Sequence, residues 1–234
     1  MASEARLLQP PESYFVTGTD TGVGKTLVSA ALLHTLAKRH ACVVGMKPVA
    51  AGGLVRDGEG WANEDVLALR AASTLQVAPG LANPVLLPEP LSPHLAARHA
   101  GVPIAIAELQ RCFEALQAQA DAVVVEGAGG WLVPIDEDHT MADLAKALAL
   151  PVVLVVGLRL GCLNHALLSA AAIRASGLAL AGWVANRIDP AMACADENLA
   201  YLQSHLQAPL LGDIAHAAAP DPRNIALQLP REQR

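Results

Sequence analysis

Short apolar runs alternate with amphipathic stretches along most of the chain. Runs of strand length occupy 14–17, 42–47, 122–126, 152–157, 179–186 and 209–214. Between them, apolar residues recur at helical spacing and predict helices over 25–39, 64–72, 104–119, 141–148, 164–176 and 191–206. This alternation predicts an α/β fold, a doubly wound and mostly parallel sheet flanked by helices and joined by right-handed crossovers. No second rhythm and no Ser/Gly linker interrupts it. We therefore expect one domain over 1–234, with its core at 14–216 and loosely held ends at 1–12 and 217–234. Residues 48–103 are the irregular part. They are rich in Gly and Pro, as in "AAGGLVRDGEGW" and "PEPLSPH". Long irregular connections in a compact fold are often functional.

Composition narrows the class. Hydrophobic residues make up 53% of the 234 and aromatics only 3%, so Ala, Leu and Val must fill the core. That suits helices laid on a buried parallel sheet, whose strands read as unbroken apolar runs. The formal charge is −6 with no basic tract. Nucleic acid is therefore not an expected partner, because such binding rests on clustered Lys and Arg. An anionic membrane surface is disfavoured for the same reason. "LPVVLVVGL" at 150–158, the longest strand-like run, falls well short of the ~20 residues a membrane helix needs. The four cysteines, Cys42, Cys112, Cys162 and Cys194, form no CxxC pair and read as reduced thiols of a cytoplasmic protein. The histidines show no metal-ligand spacing. His94, His99, His139 and His165 are scattered, and His34 and His40 fall on the first helix.

The chemistry starts at "YFVTGTDTGVGKT", residues 14–26. An apolar strand enters a glycine-bearing loop, and an amphipathic helix leaves it. This is the strand–loop–helix setting of a phosphate cradle, although Thr19 stands where the usual G-x-x-x-x-G-K-[ST] pattern has its first glycine. Gly22 and Gly24 let backbone N–H groups converge on phosphate oxygens, and the helix start adds partial positive charge. Lys25 would reach the outer phosphates, and the Thr26 hydroxyl would bind Mg²⁺.

Mg²⁺ takes one or two carboxylates besides phosphate oxygens and water. Glu126 closes the apolar run "AVVVE", where a parallel strand's C-terminal end faces the ligand crevice. The glycines at 127, 129 and 130 leave room for a phosphate or substrate. Asp65, in "NEDVLAL", is either a second ligand or ordinary first-turn helix charge. Lys47 ends the second strand in "VVGMKPVAAGG" and is held out of helical geometry by Pro48. It either stands near the γ-phosphate, where it would steady transition-state charge, or is a solvated surface lysine.

Taken together, "FVTGTDTGVGKT", "KPVAAG", "NEDVLAL", "VVVEGAGGW", "LGCLNHALL", "AGWVAN" and "APLLGDI" resemble the dethiobiotin synthetase family, in unbroken order over 14–216. The displaced glycine of the loop resembles that family's own form of the cradle. The resemblance implies a biotin-pathway ligase that closes a cyclic urea. Diaminononanoate and CO₂ give a carbamate, ATP phosphorylates it, and the second amine displaces phosphate to leave dethiobiotin and ADP.

It also implies roles for individual residues. Lys47 would be the catalytic lysine at the carbamate and γ-phosphate, with Lys25 beside it. Thr26, Asp65 and Glu126 would hold Mg²⁺. ATP would be wrapped by Gly22, Val23, Gly24, Lys25, Thr26 and Leu27, and faced by Asp65, Glu126, Gly127, Ala128 and Gly129. On the adenine side would lie Asn186, whose amide both donates and accepts, with Arg187 and the segment Ile214, Ala215 and His216. The substrate would meet Thr21, Lys47 and Ala51. Its carboxylate would meet the helix start at Cys162, Leu163 and Asn164, contributed in this family by the partner of a homodimer. Asn164 could equally be a plain helix cap.

Some positions depart from the family pattern. Ala51 stands where the family often has a serine touching substrate, so that contact must come from backbone, water or a residue such as Thr21. Ala215 replaces a frequent proline in the adenine-side loop. The competing class is a P-loop regulatory or partitioning ATPase. Such proteins often carry a second loop lysine near position 20, where this chain has Asp20.

Overall fold

The structure is a computed structural model describing residues 11–57 and 60–229. Its first strand, β1 (Glu12–Gly18), feeds the glycine loop, and α1 (Lys25–Leu36) follows. Next come β2 (Val43–Met46), β3 (Val49–Ala51), β4 (Leu54–Asp57), β5 (Gly60–Asn63), α2 (Glu64–Ala72), α3 (Pro79–Ala82), β6 (Val85–Leu87) and α4 (Pro93–Ala100). The second half runs α5 (Ile106–Gln117), β7 (Ala122–Gly130), α6 (Met141–Leu148), β8 (Val152–Gly157), α7 (Cys162–Ala175), β9 (Leu180–Asn186), α8 (Ala195–His205) and β10 (Leu210–Ile214).

Six strands form the main sheet in the order β10-β9-β8-β1-β7-β2, every neighbouring pair parallel. This is the doubly wound architecture the apolar rhythm predicts. The strands are unbroken apolar runs because both faces are covered. Alternation along β1 sends Phe15 to one core, with Trp131 and residues of α5, α6 and α7. Tyr14 and Val16 go to the other, with α1 and Leu69 of α2. The glycine loop leaves the C-terminal end of β1. The chain crosses to β2 on one side of β1 and later to β8 on the other, so the loop sits at the switch point where ligands bind in open α/β sheets.

Several expectations are corrected. The stretch 48–103 is not merely irregular. Besides the expected helix at 64–72, α2, it holds a parallel pair of β3 with β6, an antiparallel hairpin of β4 with β5, and the helices α3 and α4. These strands are three or four residues long, too short for a period to show. The run 122–126 continues as strand to Gly130, because Gly130 rejoins β1 at Gly18 after a register shift. The first helix stops at Leu36, so His34 lies on it and His40 does not; His40 Nε2 instead sits 2.7 Å from Glu12.

The expected loose end also differs over its described part. A 3₁₀ turn at Pro222–Asn224 leads to Leu227, which is buried in the α1-side core, and Gln228 N–H donates to Leu211 O at 2.8 Å. Gly212 accommodates this return, since a Cβ there would lie 2.6 Å from Leu227 Cδ2. The expectation for 1–12 falls on residues outside those described up to position 10. All four cysteines are free thiols. Among the described residues, no helix is long and apolar enough to cross a membrane.

Candidate active site

The loop between β1 and α1 turns on two left-handed glycines, Gly22 at φ 75° and Gly24 at φ 91°. Gly24 is also the N-cap position of α1, so the first-turn N–H groups of Lys25, Thr26 and Leu27 have no intrahelical partners. A side chain at Gly24 would collide with Asn186, which reaches across from the end of β9. The buried Asn186 donates Nδ2–H to Val23 O at 2.9 Å. The expected adenine-side residue thus also fastens the phosphate loop, a function its spacing in "VANR" does not reveal.

Lys25 is buried at the mouth of the loop and donates Nζ–H to Asp20 O at 3.0 Å. Burial, then the nearby Lys47 charge, pushes its pKa down to about 8.

Lys47 follows β2 directly, and Glu126 lies in β7, the next strand. Met46 pairs with Val125, so Lys47 falls one residue along, level with Glu126. Both are buried, Lys47 at 5% exposure and Glu126 at 0%. Lys47 Nζ is 2.5 Å from Glu126 Oε1 and 2.9 Å from Asp65 Oδ2. Asn83 Nδ2–H donates to Lys47 O at 2.7 Å and pins the backbone behind the side chain. Burial alone would lower the Lys47 pKa, but the Glu126 and Asp65 charges outweigh it and hold the ammonium above its ordinary value. Burial likewise disfavours a charged Asp65, but Lys47 and the Thr26 hydroxyl hold its carboxyl below the usual range.

Thr26 Oγ1 closes the cluster at 2.7 Å from Asp65 Oδ1 and 2.9 Å from Glu126 Oε1. The structure therefore brings Thr26, Asp65 and Glu126 together beside Lys47. The other Glu126 oxygen, Oε2, is buried with no hydrogen-bond partner. A buried acceptor left unpaired is costly, and here it belongs to a carboxylate beside a hydroxyl and a second carboxylate. That donor set fits Mg²⁺, which takes only one or two carboxylates and completes its shell with phosphate oxygens and water. Among the described residues, no group of three or more His, Cys, Asp or Glu could hold a metal ion unaided.

Gly127, Ala128 and Gly129 continue β7 past Glu126. Gly127 O lies 3.5 Å from Lys47 Nζ, and Gly129 is left-handed at φ 63°. On the far side, Asn186 is level with Ile214 at the ends of β9 and β10. Arg187 N–H donates to Ile214 O at 3.0 Å, and His216 Nδ1 lies 3.2 Å from Arg187 O, so 186–187 and 214–216 form one rim with Ala215 between. The Arg187 guanidinium is engaged by Asp213 and Asp196.

The expected substrate residues fall in two places. Ala51 ends β3, and Thr21 N–H donates to its neighbour Asp20 Oδ1 at 2.7 Å within the loop. Cys162, Leu163 and Asn164 are the first three residues of α7, whose N-cap is Gly161 at φ 97°. Asn164 is thus not the cap. An ion pair from Arg159 to Asp20 ties this turn to the phosphate loop. Sequence reading misses Arg159, and nothing in its local pattern marks it. It also misses Asn63, whose signal was available: an Asn just before Glu64 and Asp65 is a helix-start pattern.

The comparisons with known proteins follow the same lines. A family profile described as an AAA domain matches residues 12–222. A curated ATP-dependent dethiobiotin synthetase BioD of Aromatoleum aromaticum is 53% identical over 221 residues, covering 94% of this chain and 97% of that protein. Its namesake in Xanthomonas oryzae pv. oryzae is 52% identical over 229 residues, covering 96% and 100%. The chain belongs to the dethiobiotin synthetase family. Solved structures share its fold more distantly. The septum site-determining protein MinD of Pyrococcus horikoshii superposes at TM-score 0.54 and 17% identity, covering 89% of this chain and 82% of that one. A ParA family ATPase of Chlorobium tepidum superposes at 0.53 and 13%, covering 89% and 85%. At such identities the likeness carries the P-loop fold alone. The dethiobiotin synthetase relatives, matching almost end to end, decide the family against the partitioning class.

Proposed function

We propose that this chain is an ATP-dependent dethiobiotin synthetase of biotin biosynthesis, a single-domain enzyme active as a cytoplasmic homodimer. The observation that carries the proposal is the convergence of Lys47, Asp65, Glu126 and Thr26 beside the phosphate loop, in a chain that aligns almost end to end with dethiobiotin synthetases. The substrates are 7,8-diaminononanoate, CO₂ and ATP.

One amine of the diamine adds to CO₂, forming a C–N bond and shedding a proton. A carbamate oxygen then attacks the γ-phosphorus, and ADP leaves with the cleaved P–O bond's electrons. The second amine attacks the carbonyl carbon of the resulting anhydride. Phosphate leaves with the bridging oxygen, and a second proton is shed as the ring closes. Such phosphoryl transfer calls for positioning and charge balance more than for a protein nucleophile.

Here the cradle from Gly22 to Leu27 would hold the phosphates, with Lys25 moving from Asp20 O onto their outer oxygens. Lys47, kept charged by its carboxylate neighbours, would meet the carbamate and γ-phosphate. Thr26, Asp65 and Glu126 would hold Mg²⁺, which when bound neutralises developing phosphate charge. Gly127 to Gly129 would flank the phosphates. Asn186, Arg187 and the 214–216 rim would receive the adenine. Thr21, Lys47 and the backbone near Ala51 would meet the diamine.

The N-terminal amides of α7, at Cys162, Leu163 and Asn164, would bind the substrate carboxylate of the partner subunit's site. Two exposed leucines support an interface there, Leu160 just before α7 at 94% exposure and Leu168 on it at 62%. Such apolar side chains gain by burial against a second copy.

An assay with ATP, bicarbonate and 7,8-diaminononanoate, with dethiobiotin measured by mass spectrometry, tests the activity. Product formation dependent on all three supports it. ATP hydrolysis that ignores the diamine and yields no product refutes it. Sedimentation of the wild type and of Leu160→Asp tests the dimer: the wild type should sediment as a dimer and the variant as a monomer.

A further inference from the structure

Asn63 is buried at 5% exposure, and each end of its amide is used. Its Oδ1 accepts from Asp65 N–H at 2.9 Å and Val66 N–H at 3.4 Å, capping α2. Its Nδ2–H donates to Gly52 O at 2.7 Å, in the turn directly after Ala51. A backbone bond runs in parallel, from Glu64 N–H to Gly53 O at 3.1 Å. The turn is held from its other side by Gly52 N–H to Leu87 O at 3.0 Å. Gly52 and Gly53 are both left-handed, at φ 70° and 56°, and a Cβ on Gly52 would strike Pro90. One small side chain therefore joins the helix that carries Asp65 to the turn that follows Lys47 and Ala51.

An ordinary N-cap needs only the acceptor, for which Ser serves as well as Asn. The donor to Gly52 exceeds that need. We propose that Asn63 is a positioning residue for the reaction: through Asp65 it sets the carboxylate facing Lys47 and Thr26, and through Gly52 it fixes the backbone turn beside Ala51. This rests on the dethiobiotin synthetase reading above.

Asn63→Ser retains a capping oxygen but cannot span to Gly52; Asn63→Ala loses both contacts. For Asn63→Ser, which keeps the cap but leaves Gly52 O without its donor, we expect a modestly lower melting temperature and a Kd for ATP within about twofold. The kcat/KM for the diamine should fall about tenfold, the size of one lost hydrogen bond in the transition state. Asn63→Ala, which also loses the cap that sets Asp65, should lose more kcat/KM than Asn63→Ser and melt lower still. Wild-type kcat/KM in Asn63→Ser, with the wild type active, overturns the inference and leaves the function standing. A wild type that makes no dethiobiotin removes the function, and the inference with it.

Discussion

Lys47 Nζ lies 2.5 Å from Glu126 Oε1, with Lys47 directly after β2 and Glu126 at the same level in the adjacent parallel β7. Two buried opposite charges at this spacing support each other, and either one alone is an uncompensated charge in the interior. The Lys47→Ala variant should therefore lose both stability and turnover. Breaking a buried pair on one side typically costs about 3–5 kcal/mol. Turnover should fall by about 10²-fold or more, as for other lost transition-state charge contacts. ATP should still bind, because Lys25 and the loop amides remain. Calorimetry with ATP, together with steady-state rates, checks this; unchanged turnover would make Lys47 a structural ion-pair member only.

The phosphate loop depends on Gly24 for two separate reasons, its φ of 91° and the Asn186 amide occupying the space where a Cβ would go. Gly24→Ala should abolish detectable ATP binding. The double variant Gly24→Ala with Asn186→Ala should not restore it, because removing Asn186 relieves the collision but not the backbone strain, of order 1 kcal/mol or more for a left-handed non-glycine residue. It also removes the bond to Val23 O. Nucleotide titration of both variants decides the matter.

How far the sequence could lead depends on the length of the signal. The six sheet strands were legible because short, mostly apolar runs flanked by helical periods have few other readings. Between 48 and 103 only α2 was; the short strands and the helices α3 and α4 were not. A three-residue pair such as β3 with β6 exists because its partner is present, not because of its own residues. At the site, the glycine loop and Glu126 stood out from spacing alone. Asp65 did not: an acid in the first turn of a helix is favoured for electrostatic reasons whatever it touches. Its closeness to Thr26, 2.7 Å from Oγ1 to Oδ1, and to Lys47 appears only in the fold. The resemblance marked Asn186 as an adenine-side candidate, but its bond to Val23 O was not legible, because that contact spans 163 residues of chain.

The C-terminal return gives a prediction contrary to the expectation of a loose tail. Leu227 is buried beside Gly212 and α1. Leu227→Ala should destabilise the fold by about 2–3 kcal/mol, the lower part of the range for buried leucines, since this one lies near the surface. Removing 217–234 should destabilise it further. Chemical denaturation measures both; a midpoint unchanged by the truncation would return the segment to a passive tail.

A pH effect follows from α6. Asp143 and Thr140 form a capping box, and Asp143 also bonds to Lys146. The Lys146 contact, then the Thr140 backbone and side-chain bonds, pull its pKa down to about 2 from the ordinary 3.8. A depressed carboxyl adds stability that is fully present above its unfolded pKa and is lost as pH falls through the folded one. The loss from this group should therefore lie between pH 4 and pH 2. Asp143→Ala should lower stability by about 1 kcal/mol at pH 7 and flatten the acid limb in that window. Denaturation midpoints of the two proteins from pH 7 to pH 2 would show it, and parallel curves would exclude Asp143 as the source.

If the carbamate is phosphorylated before the ring closes, the oxygen that attacks phosphorus comes from CO₂ and departs with phosphate. A single-turnover reaction with ¹⁸O-labelled CO₂, ATP and diaminononanoate follows that atom directly by mass spectrometry of the released phosphate. We predict one labelled oxygen per phosphate alongside each dethiobiotin formed. Dethiobiotin formed with unlabelled phosphate would contradict a carbamic–phosphoric anhydride at this site.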